Sequence, residues 1–475
     1  MAHRMQRRKV KQEWAPPDPY PGVPGRPWFG LYCGDWGALE TWCGPEGSLL
    51  VLGPPRSGKT SSVVAPCVLD APAAVVSTST KPDVMAQTAF WRWMQGRCFL
   101  FDPSGQTPVP DGVTELRWSP VAGCSDFDRA VATAHALASA ARPNASMSEA
   151  AHWVERAEAL LAPLLFAASA TGSDMAVVCR WVLGRDLREP EAALGVLGHE
   201  MAATVLAGVA STEDRERSGI FSTASGILAA YRSEAALRSA SRPNFSPEAF
   251  GTSSDTVYIA SPAQSQDQLA PLIVCLLEQI RHAVFARPAG AAPVVFALDE
   301  VANIAPLPSL PSLAAEGGGQ GLVTLACLQD LSQARARWGD QADGFFSIFN
   351  TKLLFPGIGD HKTLSLVSAI AGEAPVSVAT TSYGTASGWK QSSTTHSVSR
   401  SWTFRPRLPL DAITNAPRGS ALRVGEGAVR RVAVRPWWIH PRWSTYAGRR
   451  MLPVHREQLR PPSVPGQIPA LEGPG

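Results

Sequence analysis

The chain has 475 residues, 45% hydrophobic and 17% charged, with 43 Lys and Arg against 40 Asp and Glu for a formal net charge of +3. That length calls for two or three domains, and that apolar content supplies a packed core, which excludes a highly charged, solvated chain. Eight cysteines show no C-x-x-C pairing and several lie inside apolar runs, so they read as small buried hydrophobes of a reduced, cytosolic protein without a structural metal.

Residues 1–47 begin with Arg4, Arg7, Arg8, Lys9 and Lys11 and continue through Trp14, Pro16, Pro17, Pro19, Pro21, Pro24, Pro27 and Trp28. This composition predicts an extended basic arm. No run approaches eighteen uninterrupted apolar residues, so neither a transmembrane helix nor a signal peptide is expected. From residue 48 apolar runs alternate with helical stretches. Strands are predicted at 49–52, 73–77 and 98–101, with helices near 59–70 and 83–94. This alternation predicts an α/β domain with a mainly parallel, helix-covered sheet, built from residues 48–124 and 246–435. Residues 125–245 are rich in Ala and Leu. In Trp153, Ala157, Leu160, Leu161, Leu164 and Leu165 the apolar positions recur at three and four, so an all-α domain is inserted there. Further strands are expected at 256–259, 294–298, 322–327 and 352–355. Residues 374–402 are rich in Ser and Thr without apolar period and read as a mobile loop. A terminal hairpin spans 421–424 and 428–434, and 436–475 read as a Pro- and Arg-rich tail with a disordered end. Basic ends on a near-neutral body point to nucleic acid or an acidic surface.

The chemistry is concentrated in two places. Gly53, Pro54, Pro55, Arg56, Ser57, Gly58, Lys59 and Thr60 fit G-x-x-x-x-G-K-[ST] between a strand and a helix. Such a loop, with Ser61 completing the turn, wraps nucleotide phosphates in backbone N–H groups at a helix N-terminus. Lys59 would neutralise β/γ-phosphate charge and the Thr60 hydroxyl would ligate Mg2+. The second place is Asp299-Glu300, which ends the apolar run 294–298. A buried strand delivers both acids to the sheet edge where open α/β folds bind ligands. Asp299 would join the Mg2+ shell, and Glu300 would orient or deprotonate the attacking water. Gln329, ending the next strand, is placed to sense the γ-phosphate or hold that water. ATP and Mg2+ are the implied cofactors. The nine histidines are scattered, and no Ser-His-Asp or Cys-His set is identifiable.

The assembled segments resemble the coupling ATPases of type IV secretion and conjugation, of the TraG and TraD kind. Residues 51–60 are similar to the family's first motif, and Phe101-Asp-Pro-Ser-Gly105 with Trp118-Ser-Pro-Val121 resembles "FDPSG … WNPL". Leu298-Asp-Glu-Val-Ala-Asn-Ile304, Pro308-Ser-Leu-Pro311 and Leu328-Gln-Asp-Leu-Ser-Gln333 resemble "LDEFANLG … PSLP … QSLSQ", and Asn350-Thr-Lys352 and 357–360 continue the likeness. The resemblance implies a RecA-like motor with the all-α insert, a hexameric ring facing the cytoplasm. It implies recruitment of a relaxase-bound DNA strand, or a protein substrate, to a membrane secretion channel. Three departures stand out. Relatives usually begin with transmembrane helices, so docking on a membrane partner is expected here. Glu316-Gly-Gly-Gly-Gln-Gly321 stands where relatives often carry "EGRGRG", whose arginine could act across a ring interface; either hydrolysis is slow here or Arg335 or Arg337 substitutes. Ser79 replaces an acidic position of "TDxKGE", while Lys81 and Asp83 fit. Two alternatives remain open: a nucleotide-gated adaptor with little hydrolysis, and an FtsK-like DNA pump.

Overall fold

The computed structural model describes residues 30–141, 148–388 and 391–448. The first basic cluster, the Pro/Trp run through Trp28 and the end of the tail lie outside the described residues. One twelve-stranded sheet organises the chain. Its parallel part runs in the order β10 (Thr351–Leu354), β3 (Leu49–Leu52), β9 (Leu322–Leu328), β8 (Val294–Leu298), β4 (Val75–Ser79), β7 (Thr256–Ala260), β5 (Cys98–Phe101) and β6 (Val113–Glu115). Every residue of β3, β8 and β9 is buried, as expected for parallel strands covered by helices on both faces. The strand expected at 73–77 lies two residues later, because Ala73 and Ala74 still belong to its approach.

Between β6 and β7 the described chain is helical. Its principal members are Phe127–Ala141, Ser148–Ala170, Met175–Gly184, Arg188–Leu197, Glu200–Ala210 and Asp214–Ile227. Ala157, Leu160, Leu161, Leu164 and Leu165 are all fully buried, so the stripe legible in the sequence is the seam of this region. Among the described residues one helical stretch, Ala263–Phe285, is long and apolar enough to cross a membrane by length and composition. It is a core helix, packed against Phe127–Ala141 and β9, and 67% of its apolar window is buried.

Three stretches differ from the sequence reading. The supposed arm contains a hairpin, β1 (Leu31–Trp36) and β2 (Leu39–Cys43), which extends the sheet antiparallel beyond β13 (Ser420–Gly425) and β14 (Ala428–Ala433). Burial of Leu31, Tyr32 and Cys33 outweighs the turn-rich composition. Gly34 (φ +93°) sits in the bulge of the β1–β2 pairing and lies close against β14, where a Cβ would stand 2.8 Å from the Ala433 carbonyl oxygen. The supposed loop is a two-stranded ribbon, β11 (Glu373–Gly388) and β12 (Gln391–Pro406), each of 16 residues. Thr and Val supply β propensity there, while the Ser/Thr-rich composition hides the short alternation of Val398, Trp402 and Phe404. The supposed tail also folds back: Trp437 and Trp443 are buried, Trp443 Nε1 donates to Asp70 Oδ1 at 2.9 Å, and Arg442 Nε donates to Asp70 Oδ2 at 2.9 Å. His440 and Tyr32 both meet Asp35 Oδ1, at 3.2 and 2.8 Å.

All eight cysteines are free and buried. A charged residue does more structural work. Arg92, fully buried, donates to the carbonyls of Ala71, Ala73 and Ser254, at 2.7, 2.7 and 3.1 Å, and to Thr256 Oγ1 at 2.8 Å. It thereby joins the starts of β4 and β7. Arg92→Met would leave those three carbonyls buried without donors. At about 1–3 kcal/mol for each orphaned group, the loss should exceed roughly 3 kcal/mol. Urea unfolding of the two proteins, compared at equal m, checks it.

Candidate nucleotide site

The phosphate loop leaves the sheet between two neighbours. The Gly53 N–H donates to the Leu328 carbonyl at 3.1 Å, and the Phe355 N–H donates to Leu52 at 2.8 Å. Gly53 is required by space, since a Cβ would lie 2.7 Å from Phe355 Cβ and 2.9 Å from Ser57 Oγ. The loop turns through left-handed backbone at Arg56 (φ 63°) and Gly58 (φ 99°). It then enters the helix Thr60–Leu69, whose first turns are π-wound over Thr60–Val64. Lys59 is 5% exposed, and its ammonium folds back to donate to the Gly53 and Pro54 carbonyls. Ser61 Oγ donates to the Gly58 carbonyl at 3.3 Å.

The acid pair arrives beside this loop because β9 alone separates β3 from β8. Thr60 Oγ1 donates to Asp299 Oδ2 at 2.6 Å, across 239 positions of sequence. Thr78 Oγ1, from β4, donates to the Asp299 carbonyl at 2.7 Å. Burial pushes the Asp299 carboxyl up to about 6; the Thr60 hydrogen bond and the Lys59 charge oppose that rise, and Glu300 and Asp83 add to it. Glu300 sits in the left-handed region (φ 50°, ψ 44°) at the head of the short helix Val301–Ile304. A non-glycine residue held there costs roughly 1–2 kcal/mol, and such strain clusters at functional sites.

Among the described residues, two buried side-chain atoms at this edge, Ser57 Oγ and Glu300 Oε2, have no hydrogen-bond partner. An oxygen-rich ligand with a hard cation would give both a partner. The donor set fits Mg2+ and a triphosphate: a hydroxyl and a carboxylate in contact, an ammonium spending its hydrogen bonds on loop carbonyls, and N–H groups at a helix start.

The other candidates are more dispersed. Gln329 follows β9, directly between the two halves, and its N–H donates to Gln333 Oε1 at 2.9 Å. Asp330 then caps the helix Leu331–Trp338. Arg335 pairs with Asp360 at 3.0 Å and Arg337 with Asp267 at 2.8 Å. Gly318, in the glycine-rich segment 316–321, lies against another part of the backbone: a Cβ would stand 1.8 Å from the Glu46 carbonyl oxygen. No side chain fits there without moving residue 46. Ser79 Oγ donates to Asp83 Oδ1 at 2.8 Å. Sequence reasoning assigned no role to the segment after β10. There Phe355 walls Gly53, Gly357 (φ 91°) faces Pro54, and Asp360 anchors Arg335. Its sequence signals are the glycine pair at 357 and 359 and the family likeness at 357–360.

A family model described as the TraM recognition site of TraD and TraG matches residues 293–418. The conjugal transfer protein TraG of Escherichia coli is 25% identical over 342 residues, covering 65% of this chain and 53% of that protein. The chain thus spans about half the length of this curated relative. Among solved structures, the bacterial conjugative coupling protein TrwB is similar with a TM-score of 0.62 at 17% identity, over 82% of this chain and 85% of that one. The plasmid coupling protein TrwB in complex with ADP and Mg2+ gives 0.61 at 17% identity, with coverage of 82% and 85%. The fold is the RecA-like P-loop fold of those structures.

The Thr60 hydroxyl lowers the Asp299 pKa, so Thr60→Ala should raise it above about 6. A folded-state pKa above the unfolded value of about 3.9 means this group stabilises the ligand-free fold at low pH. That contribution is lost as pH rises from about 4 through 6. A carboxyl 13C titration of both proteins reads the shift, and Asp299→Asn should remove this component of the pH dependence.

Proposed function

We propose that this TraG/TraD-like coupling protein is an ATP-driven motor. It brings relaxase-bound DNA, or a protein substrate, to a conjugation channel at the cell membrane and works as a ring of six copies. The carrying observation is the 2.6 Å contact between Thr60 and Asp299, which unites the loop with the acidic strand end. The likeness to TraG and TrwB supports the coupling role.

Mg2+, when bound, supplies charge to the phosphate oxygens as the terminal bond breaks. Thr60 Oγ1 and the ionised Asp299 carboxylate are the protein groups that would hold it. Gly53 through Ser61 hold the phosphates. Lys59 turns its ammonium from the loop carbonyls to the β/γ oxygens. Glu300 Oε2, buried and without a partner, accepts the proton of the attacking water, and the Gln329 amide orients that water. Basic side chains facing the ring's channel engage DNA phosphates without reading sequence.

Lys59→Ala should abolish ATP turnover. Glu300→Gln should bind ATP as before yet turn over about 10²–10⁴-fold more slowly, the range for loss of a general base. Turnover assays with and without DNA, beside equilibrium nucleotide binding, test both; equal turnover in Lys59→Ala refutes the site. Because the Asp299 carboxyl titrates near 6, Mg2+ affinity should fall about tenfold per unit below that pH, read by calorimetry.

One observation favours the second reading, a nucleotide-gated adaptor. Gly318 has no room for an arginine, and Arg335 and Arg337 are held in pairs within the chain. An arginine finger is worth about 10³–10⁵ in rate, so without one ATP binding outlasts turnover. Tight ATP binding with no DNA-stimulated hydrolysis would select this reading.

A further inference from the structure

The ribbon of β11 and β12 pairs without a break from Glu373↔Pro406 to Gly388↔Gln391 and forms a sheet of its own. Opposed residues of an antiparallel pair share a face and successive residues alternate. One face therefore carries Val398, Arg400, Trp402 and Phe404 in a row, opposite Thr381, Ala379, Ser377 and Pro375. These opposing residues are small, so the row stands clear. Trp402 is 71% exposed and Phe404 66%. Their Cα atoms are spaced by about 7 Å at the rise of a strand.

Two large aromatics held in water on an unpacked ribbon cost hydrophobic free energy unless something covers them. The ribbon's charge selects the cover. Residues 373–407 hold one carboxylate, Glu373 at the base, against Lys390, Arg400, Arg405 and Arg407. Aromatic faces interleaved with guanidinium groups, among hydroxyls and almost free of acid, match a stacked base and its phosphate. An apolar protein surface would be matched by neither the arginines nor the Ser/Thr ladder. The residues matched to a TraM recognition site, 293–418, include the buried strands β8 to β10 and so do not single out the ribbon for a protein.

We propose that Trp402, Phe404 and Arg400 on the ribbon form a stacking platform for single-stranded DNA. This rests on the reading of the protein as a DNA motor, and names the element that grips the strand.

The test is binding of a fluorescent single-stranded oligonucleotide to the full chain, titrated at several salt concentrations. Trp402→Ala should weaken binding about 5- to 100-fold with an unchanged salt slope, because stacking carries no counterion release. Trp402→Phe should restore most of the affinity. Arg400→Ala should reduce the slope of log K against log salt by about 0.7, as expected for one lost phosphate contact on a single strand. Circular dichroism and melting temperature establish that each variant is folded. If the wild type binds the oligonucleotide and all variants bind it equally, the platform is overturned while the motor reading stands. If the wild type hydrolyses ATP but binds no oligonucleotide, the platform and the DNA reading fall together. Unchanged affinity with altered mass in solution would assign the row to a second copy of the chain, which also overturns the proposal.

Discussion

The hydrogen bond between Thr60 and Asp299 depends on strand order. β9 lies between the strand that launches the phosphate loop and the strand that delivers the acids, with Leu52 level with Leu328 and Leu298 level with Ala326. Those registers end β8 two residues short of β3 along β9, so Asp299, one residue beyond Leu298, comes beside the loop that leaves after Leu52. A slip of one residue in either ladder would turn Asp299 to the other face and separate the halves. The helical region between β6 and β7 can be large only because it leaves and rejoins the sheet without disturbing these central strands.

Around that contact the chain tolerates features that elsewhere would be faults. Arg56 and Glu300 hold left-handed backbone, Asp299 is a buried acid, and Ser57 and Glu300 each bury a polar atom without a partner. Stability comes from remote places: the unbroken apolar strands, the seam of Ser148–Ala170, and Arg92 satisfying three carbonyls at the far end of β4.

The parallel core and the two halves of the candidate site were legible because each is written locally: an apolar run, then Gly-x-x-x-x-Gly-Lys-Thr, or an apolar run, then Asp-Glu. Missed elements had no such local signature. β1 and β2 sit in a Gly- and Trp-rich stretch whose strand character comes from partners almost 400 residues away, as in Asp35 opposite Ala433. In the ribbon the short alternation of Val398, Trp402 and Phe404 is broken by Arg400 and set in Ser and Thr, so the pattern of a half-buried strand is masked. Gly318 looked like a missing arginine; its contact with Glu46 is a matter of space that a one-dimensional pattern does not carry.

The clasp of Arg442 and Trp443 on Asp70 has a practical bearing on where the chain can be cut. Asp70 ends the helix that begins at Thr60, and burial already raises its carboxyl against the pull of Trp443 and Arg442. A boundary drawn at residue 436, where composition changes, would discard both donors and strand that acid in apolar surroundings at the foot of the nucleotide-facing helix. The contacts of this segment with the sheet domain extend through Tyr446, whose carbonyl receives the Trp91 indole N–H.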